Sequence, residues 1–327
     1  MSVCTTPAAD LLHIDATAET GRIAAGIRDI VLRQFRKKGA VVAVSGGIDS
    51  SVVAALCAHA LGKERVIALF LPETDSSPES LRLASMLVDV LGVRSFKEDI
   101  RPILAAAGCY HRRDEAIRSV VPEYGAGYKS KIVLPNLIEE NRYSLFSLVV
   151  QSPSGESRKV RLTLDAYLGI VAATNFKQRT RKMMEYFYAD RYNYAVAGTP
   201  NRLEYDQGFF VKNGDGSADF KPIAHLYKSQ VYQLAAHLGI PEAIRHRPPT
   251  TDTYSMEQSQ EEFYFSVPLV KMDICLYGKD NSLSNKVVAE LAGLTEEQVL
   301  RVFEVIEAKR RVAHYLHHPP ALVCPLT

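Results

Sequence analysis

The sequence contains no tryptophan, no CxxC pair among its 5 cysteines and no excess charge of either sign. It also has no apolar run approaching the roughly 20 residues that a membrane helix requires. Each absence excludes something. Cys4, Cys57, Cys109, Cys275 and Cys324 are scattered, with Cys57 and Cys275 inside apolar runs, which points to reduced thiols in a cytoplasmic protein and not to a disulfide framework. Lys and Arg total 39 against 37 Asp and Glu, a formal charge of +2, too balanced for a nucleic-acid or anionic-membrane footprint. Any anion bound here has to be gripped locally. The stretch 1–15 carries two Asp and no Lys or Arg, unlike a secretory signal. No Pro- or Gly-rich linker and no internal repeat divides the 327 residues, and 47 % hydrophobic with 23 % charged residues is an ordinary globular balance. The simplest organisation is one domain over 1–327.

What is present alternates in kind. Apolar positions at helical spacing over 19–38 (Ile23, Ile27, Ile30, Val31, Phe35) predict a helix stopped by Gly39. The Val-rich run 40–44 predicts a strand buried on both faces, followed by a helix over 49–61, a strand over 65–71, a helix over 78–91 and a weaker strand over 94–98. A βαβαβ order implies an α/β fold: a parallel, Rossmann-like sheet with helices on both faces and ligands at the carboxyl ends of its strands. Residues 108–142 show no sustained period, while 143–151 and 158–164 look like two strands joined by the turn-prone Ser152-Pro153-Ser154-Gly155. An inserted β-hairpin region at about 101–165 is therefore expected. Helical pattern resumes over 165–191, a strand over 194–198, and helices over 228–238, 268–277 and 295–315.

The strongest local signal is Ser45-Gly46-Gly47-Ile48-Asp49-Ser50-Ser51, set between a strand and a helix. Paired glycines let backbone N–H groups converge on an anion, and a helix N-terminus adds partial positive charge. Ser45, Ser50 and Ser51 contribute hydroxyls, and Asp49 a hard oxygen suited to Mg²⁺. Neither GxxxxGK[ST] nor GxGxxG occurs, which removes the P-loop and dinucleotide-fingerprint readings. A plain strand-to-helix turn with an ordinary first-turn acid stays open on these residues alone. Glu204, just past the strand over 194–198, is expected at the same sheet edge as Asp49, and two carboxylates facing one polyphosphate need a divalent cation between them. Lys212 and Lys228 sit beside Gly-rich or helix-starting segments, placed either to neutralise phosphate or simply to be solvated.

A strand followed by SGGxDS resembles the pyrophosphate loop of the N-type ATP pyrophosphatases. The blocks Gly198-Thr199-Pro200-Asn201-Arg202-Leu203-Glu204 and Gly208-Phe209-Phe210-Val211-Lys212-Asn213-Gly214-Asp215-Gly216-Ser217-Ala218-Asp219 are similar to the GTxxxxE…GFFTKYGDGxxD block of the NAD synthetases. Pro222-Ile223, Lys228-Ser229-Gln230-Val231, the run 234–242, Pro249-Thr250-Thr251-Asp252, the segment 175–181 and the segment 307–311 match further blocks of that family. The resemblance implies an adenine nucleotide alpha hydrolase-like fold and an ammonia-dependent ligase. In that chemistry ATP adenylates the carboxylate of deamido-NAD with release of pyrophosphate, and ammonia displaces AMP to give NAD. Position by position it implies that Ser45, Gly46, Gly47, Asp49, Ser50, Ser51, Thr199, Lys228 and Thr250 bind ATP and that Asp49 and Glu204 hold Mg²⁺. Arg179, Lys212, Asp219 and Lys309 then fall on the acid substrate, with Asp49, Lys212 and Lys228 as the catalytic positions.

The resemblance also implies a homodimer, for which the apolar stripe of 167–187 (Leu168, Val171, Ala172, Phe176, Met183, Met184, Phe187) serves as well as for core packing. A glutaminase is not expected within the chain, since little precedes residue 45 and Ser2 and Val3 come before Cys4; free ammonia or a separate glutaminase subunit is the expected source. The chain departs from the family pattern at Val211 and Asn213, at Ala308, at Gln260-Glu261-Glu262 with the neighbouring Phe263, Tyr264 and Phe265, and in the insertion. All of these fall on the acid side, so a ligase for a different carboxylic acid and a non-catalytic nucleotide-binding subunit stand as alternatives.

Overall fold

The computed structural model describes residues 11–133, 146–250, 253–256, 260, 264–265 and 267–324. Cys4, Thr251, Asp252, Glu261, Glu262, Phe263 and the expected strand start at 143–145 lie outside the described residues.

Helix α1 (Ala16–Arg28), whose N-cap Asp15 accepts from the Thr17 and Ala18 amides, runs into a π-turn at Asp29–Gln34. Gly39 is not its stop. A Cβ at Gly39 would lie 2.2 Å from the Arg65 carbonyl oxygen, so glycine is required there by the close approach of the next strand. The chain then lays down β1 (Ala40–Ala43), α2 (Ile48–Leu61), β2 (Val66–Phe70), α3 (Pro78–Leu91) and β3 (Arg94–Lys97). After the insertion come the long α6 (Leu164–Tyr192) and β7 (Ala195–Val196), giving a parallel sheet of order β3-β2-β1-β7.

The apolar runs of β1 and β2 divide by pleat. Ala40, Val42, Ala68 and Phe70 pack with α1, α2 and α3 in one cluster, whereas Val41, Ile67 and Leu69 pack on the other face with Tyr188 and Ala189 of α6. Burial on both faces is what removes polar residues from these strands, as the parallel arrangement demands.

The region expected as an insertion holds α4 (Arg101–Ala106) and α5 (Cys109–Arg118), then an antiparallel sheet of β4 (Lys129–Val133), β5 (Ser147–Gln151) and β6 (Ser157–Arg161). The expected hairpin is present, but it has a third strand and two helices before it. Both omissions have a physical cause. Helix α5 buries only Cys109 and Ile117, too few for a visible period, and β4 buries Ser130 alongside Ile132, so its inward face is half polar. Ile117, Ile132, Leu148, Val150 and Ile170 form the insertion's own apolar cluster against α6.

A buried ion network also joins the insertion to the sheet. The Lys177 ammonium on α6, fully buried, donates to Glu73 at 3.0 Å, to Asp75 at 2.5 Å and to the Thr253 carbonyl at 2.7 Å, and Arg113 of α5 reaches Asp75 at 2.7 Å. Buried charges of this kind are tolerated only when mutually satisfied.

Beyond β7 lie α7 (Arg202–Gln207), α8 (Lys228–His237) and α9 (Glu242–Arg245). Then α10 (Leu269–Asp280), α11 (Asn285–Ala292) and α12 (Glu296–His317) build a separate cluster around Phe265, Met272 and Ile306. Among the described residues no helix is long and apolar enough to cross a membrane.

In the C-terminal cluster the Lys309 ammonium donates to the Tyr264 carbonyl and lies 4.2 Å from the Tyr264 ring centre and 5.3 Å from that of Phe265. Desolvation holds it down to about 7 from the ordinary 10.5. Between those values the unfolded chain binds the extra proton, so this group makes stability rise with pH from about 7 to 10.5. Thermal unfolding at pH 7, 8, 9 and 10 is expected to show that rise in the native chain and a flatter profile in Lys309→Met; parallel profiles contradict it.

Candidate active site

Strand β1 hands the chain to a tight turn before α2. Gly46 has φ +75°, and a Cβ there would lie 2.4 Å from the Ser80 carbonyl oxygen, so both the backbone conformation and the packing require glycine. The Ser45 amide donates to Ser50 Oγ at 3.3 Å and the Gly47 amide to Ser45 Oγ at 3.3 Å. The Ser50 and Ser51 hydroxyls donate back to the Gly47 carbonyl at 3.1 and 2.8 Å. These hydroxyls therefore shape the loop. Helix α2 has Gly47 as its N-cap and no side chain capping its first turn, leaving its leading amides for an anion.

Opposite the loop stands a capping box. Asn201, 1 % exposed, is the N-cap of α7: its Oδ1 accepts from the Glu204 amide at 3.1 Å while its own amide donates to Glu204 Oε2 at 3.1 Å. The other end of the Asn201 amide donates to Asp49 Oδ1 at 3.0 Å. One residue thus holds both expected carboxylates, that of Asp49 through its side-chain Nδ2 and that of Glu204 through its backbone N–H. Gln260 donates to Glu204 Oε1 at 2.9 Å, and Lys228, 2 % exposed, pairs with Asp49 Oδ2. Burial and the neighbouring Asp49 carboxylate push the Glu204 carboxyl well above the usual range. Burial opposes the charge on Lys228, but Asp49 and Glu204 hold its ammonium above the ordinary value.

Lys228 is held from a distance as well. Asp273 on α10, fully buried, accepts from the Lys228 amide at 3.2 Å and the Ser229 amide at 2.8 Å, capping α8 from another helix; burial pushes its carboxyl up to about 6. Asn201 and Asp273 were not among the residues expected from the sequence. The Asn201-x-x-Glu204 spacing carried a readable capping-box signal. Asp273 carried a weaker one, as the lone acid inside the apolar helical run 269–276.

A cavity of about 1140 Å³ opens at the carboxyl edge of the sheet, and its wall includes Ser45, Gly47, Asp49, Ser50, Thr199, Glu204, Thr250, Arg179 and Lys212. Gly46, Ser51, Lys228, Asp219 and Lys309 do not line it, and Asp219 is exposed. Asp219 accepts from the Val196 amide at 2.7 Å and from the Tyr186 hydroxyl at 3.2 Å. The Lys212 ammonium donates to the Tyr315 and His318 carbonyls at 2.9 and 3.1 Å, at the end of α12, and the Arg179 Nε donates to the Lys212 carbonyl at 3.3 Å. A second part of the wall is aromatic: Phe146 from the insertion stacks on Tyr167 with ring centres 4.2 Å apart, near Tyr254 and Tyr264.

Among the described residues no group of three or more His, Cys, Asp or Glu is arranged to hold a metal. Asp49 and Glu204 form a pair of hard oxygen donors whose mutual repulsion a divalent cation would relieve. Two protein ligands suit Mg²⁺, which keeps waters and phosphate oxygens for its other positions.

The family model described as NAD synthase matches residues 20–123 and 157–314, leaving out β4 and β5 of the antiparallel sheet. The NH(3)-dependent NAD(+) synthetase of Rhizobium meliloti is 60 % identical over 318 residues, covering 97 % of this chain and 95 % of the relative. That of Thermotoga maritima is 36 % identical over 283 residues, covering 86 % and 92 %. Two solved structures share the fold. The NH3-dependent NAD synthetase of Campylobacter jejuni, in complex with the nitrate ion, has a TM-score of 0.61 at 23 % identity over 95 % of this chain and 100 % of that one. The NMN synthetase of Francisella tularensis has a TM-score of 0.61 at 21 % identity over 95 % and 99 %. With the phosphate-type nest, the paired carboxylates and these matches together, the chain belongs to the NAD synthase family.

Proposed function

We propose that this chain amidates deamido-NAD with ATP and ammonia, giving NAD, AMP and pyrophosphate. The observation that carries the reading is the side chain of Asn201, which binds Asp49 of the glycine loop and caps the helix bearing Glu204, so two acids from distant parts of the chain face one anion nest. A non-catalytic nucleotide binder has no physical use for a strained carboxylate pair.

In this reading the nicotinate carboxylate oxygen attacks the α-phosphorus, the bond to the bridging oxygen breaks and pyrophosphate leaves with the electron pair. Ammonia then adds to the acyl carbon, AMP departs, and the surplus proton passes to solvent. The loop around Ser45, Gly46, Gly47, Ser50 and Ser51 grips the polyphosphate, Thr199 and Thr250 line the nucleotide path, and Lys228 neutralises charge beside Asp49. Mg²⁺ held by Asp49 and Glu204 supplies charge neutralisation of the triphosphate. Arg179 and Lys212 meet the acid substrate from the wall, and Asp219 and Lys309 are assigned to the same substrate. Positioning and preorganised charge, not acid–base chemistry, supply the rate. The aromatic wall built partly by the insertion favours a second reading, in which the same adenylating half serves another aromatic carboxylic acid.

Two further parts of the proposal concern state and place. Of the stripe on α6, Phe176 and Met184 join the core, whereas Leu168, Met183 and Phe187 are 54, 52 and 50 % exposed, which supports a homodimer seam. Buried free Cys57, Cys109 and Cys275 support residence in the reducing cytoplasm.

Three measurements test this. Deamido-NAD, ATP, Mg²⁺ and ammonium are expected to give AMP and NAD in equal amounts, and Asp49→Asn to lower kcat/KM by roughly 10²- to 10³-fold; the absence of both products, or full activity in the variant, overturns the reading. Glutamine in place of ammonium is expected to leave the purified chain inactive, and equal rates refute ammonia dependence. Light scattering is expected to return twice the 36.3 kDa chain mass, and Phe187→Glu to shift it toward the monomer.

A further inference from the structure

Arg247 lies on the segment after α9 and forms part of the cavity wall. Its guanidinium donates to Ser80 Oγ at 2.9 Å and to Thr250 Oγ1 at 3.4 Å. Ser80 is the residue whose carbonyl oxygen a Cβ on Gly46 would strike at 2.4 Å, so the guanidinium is anchored to the residue that abuts the glycine loop. Among the described residues, both of its hydrogen-bond partners are neutral hydroxyls. By contrast Lys182 and Arg101, cations of the same wall, are each matched by a carboxylate, Glu185 and Asp99. Glu79 feels the Arg247 charge, but its carboxylate is already gripped at two points by Arg82 at 2.7 and 2.6 Å. What is left is a half-buried, permanently charged fork aimed along the edge of an anion nest, held in place by two hydroxyls that consume only part of its donor capacity.

We infer that Arg247 is a ligand of the polyphosphate and stabilises the departing pyrophosphate. This rests on the adenylation reading above. As the carboxylate oxygen bonds to the α-phosphorus, the phosphorus–bridging-oxygen bond breaks and its electron pair goes to pyrophosphate; the guanidinium N–H groups meet the charge that accumulates there. Binding energy placed on the leaving group is realised most fully in the transition state, so its loss falls on rate more than on acid-substrate affinity. Thr250, which Arg247 holds, is thereby fixed on the same wall.

The test compares Arg247→Gln, which keeps a donor for Ser80 Oγ without the charge, with Arg247→Lys, which keeps the charge. Inorganic pyrophosphate with Mg²⁺ is titrated into the full chain by calorimetry, and kinetics are measured with ATP and deamido-NAD varied in turn. Arg247→Gln is expected to weaken pyrophosphate binding about tenfold or more and to lower kcat/KM for ATP by roughly 10²-fold. The KM for deamido-NAD and the unfolding temperature are expected to be little changed, and Arg247→Lys to recover part of the pyrophosphate affinity. Unaltered pyrophosphate affinity in Arg247→Gln, no saturable binding by the native chain, or equal losses in both variants with a lowered unfolding temperature would each overturn the inference, the last showing a mere staple between the 247–250 segment and α3. Pyrophosphate binding needs no turnover. A chain that binds it through Arg247 yet forms no NAD retains this ligand and refutes only the proposed reaction.

Discussion

The site depends on keeping two acids together where water cannot screen them. Asp49 comes from the first crossover helix and Glu204 from a short helix past the last strand of the sheet, and the charge they share is balanced by Lys228 and distributed through Asn201. Without those partners the pair would carry several kcal/mol of uncompensated repulsion and desolvation. The pair is therefore fixed in place by protein partners alone. Asp273 extends this order outward: it fixes the start of α8, and with it Lys228, from the C-terminal helical cluster. The part of the cavity around Asp49 is thus tied to three separate parts of the chain.

The aromatic part of the wall is constructed differently. The insertion packs on α6 through its own apolar cluster and is pinned to the sheet edge by the fully buried Lys177 with Glu73, Asp75 and Arg113. In doing so it contributes Phe146 to the cavity wall.

Much of the framework was legible before any coordinates. The Val-rich run 40–44 and the apolar run that follows Arg65 read as interior strands because nothing polar interrupts them, and the paired glycines after the first strand marked the tight turn into α2. The helices over 165–191 and 295–315 were recovered within a few residues as α6 and α12. Other elements were hidden. Helix α5 touches the core at too few points to show a period, β4 places a serine on its inward face, and α7 and α9 are too short for periodicity to register. In the site the loop residues, Thr199, Glu204 and Thr250 could be placed from motif and strand order. Lys212 and Asp219 could be placed but not their partners, since the carbonyls of Tyr315 and His318 and the Val196 amide come from elements no local pattern connects to them.

By itself the sequence determined the chemistry available: a glycine turn able to cradle phosphate, acids and lysines at set distances along the chain, and strands apolar enough to be enclosed. Only the tertiary structure decided which of those groups share a field. That Asn201 bridges the two acids, that Asp273 caps a helix it does not belong to, and that Arg247 is bonded to Ser80, which abuts Gly46, are consequences of packing between distant segments. Electrostatic energy depends on separation in space and on burial, and neither is a function of position along the chain.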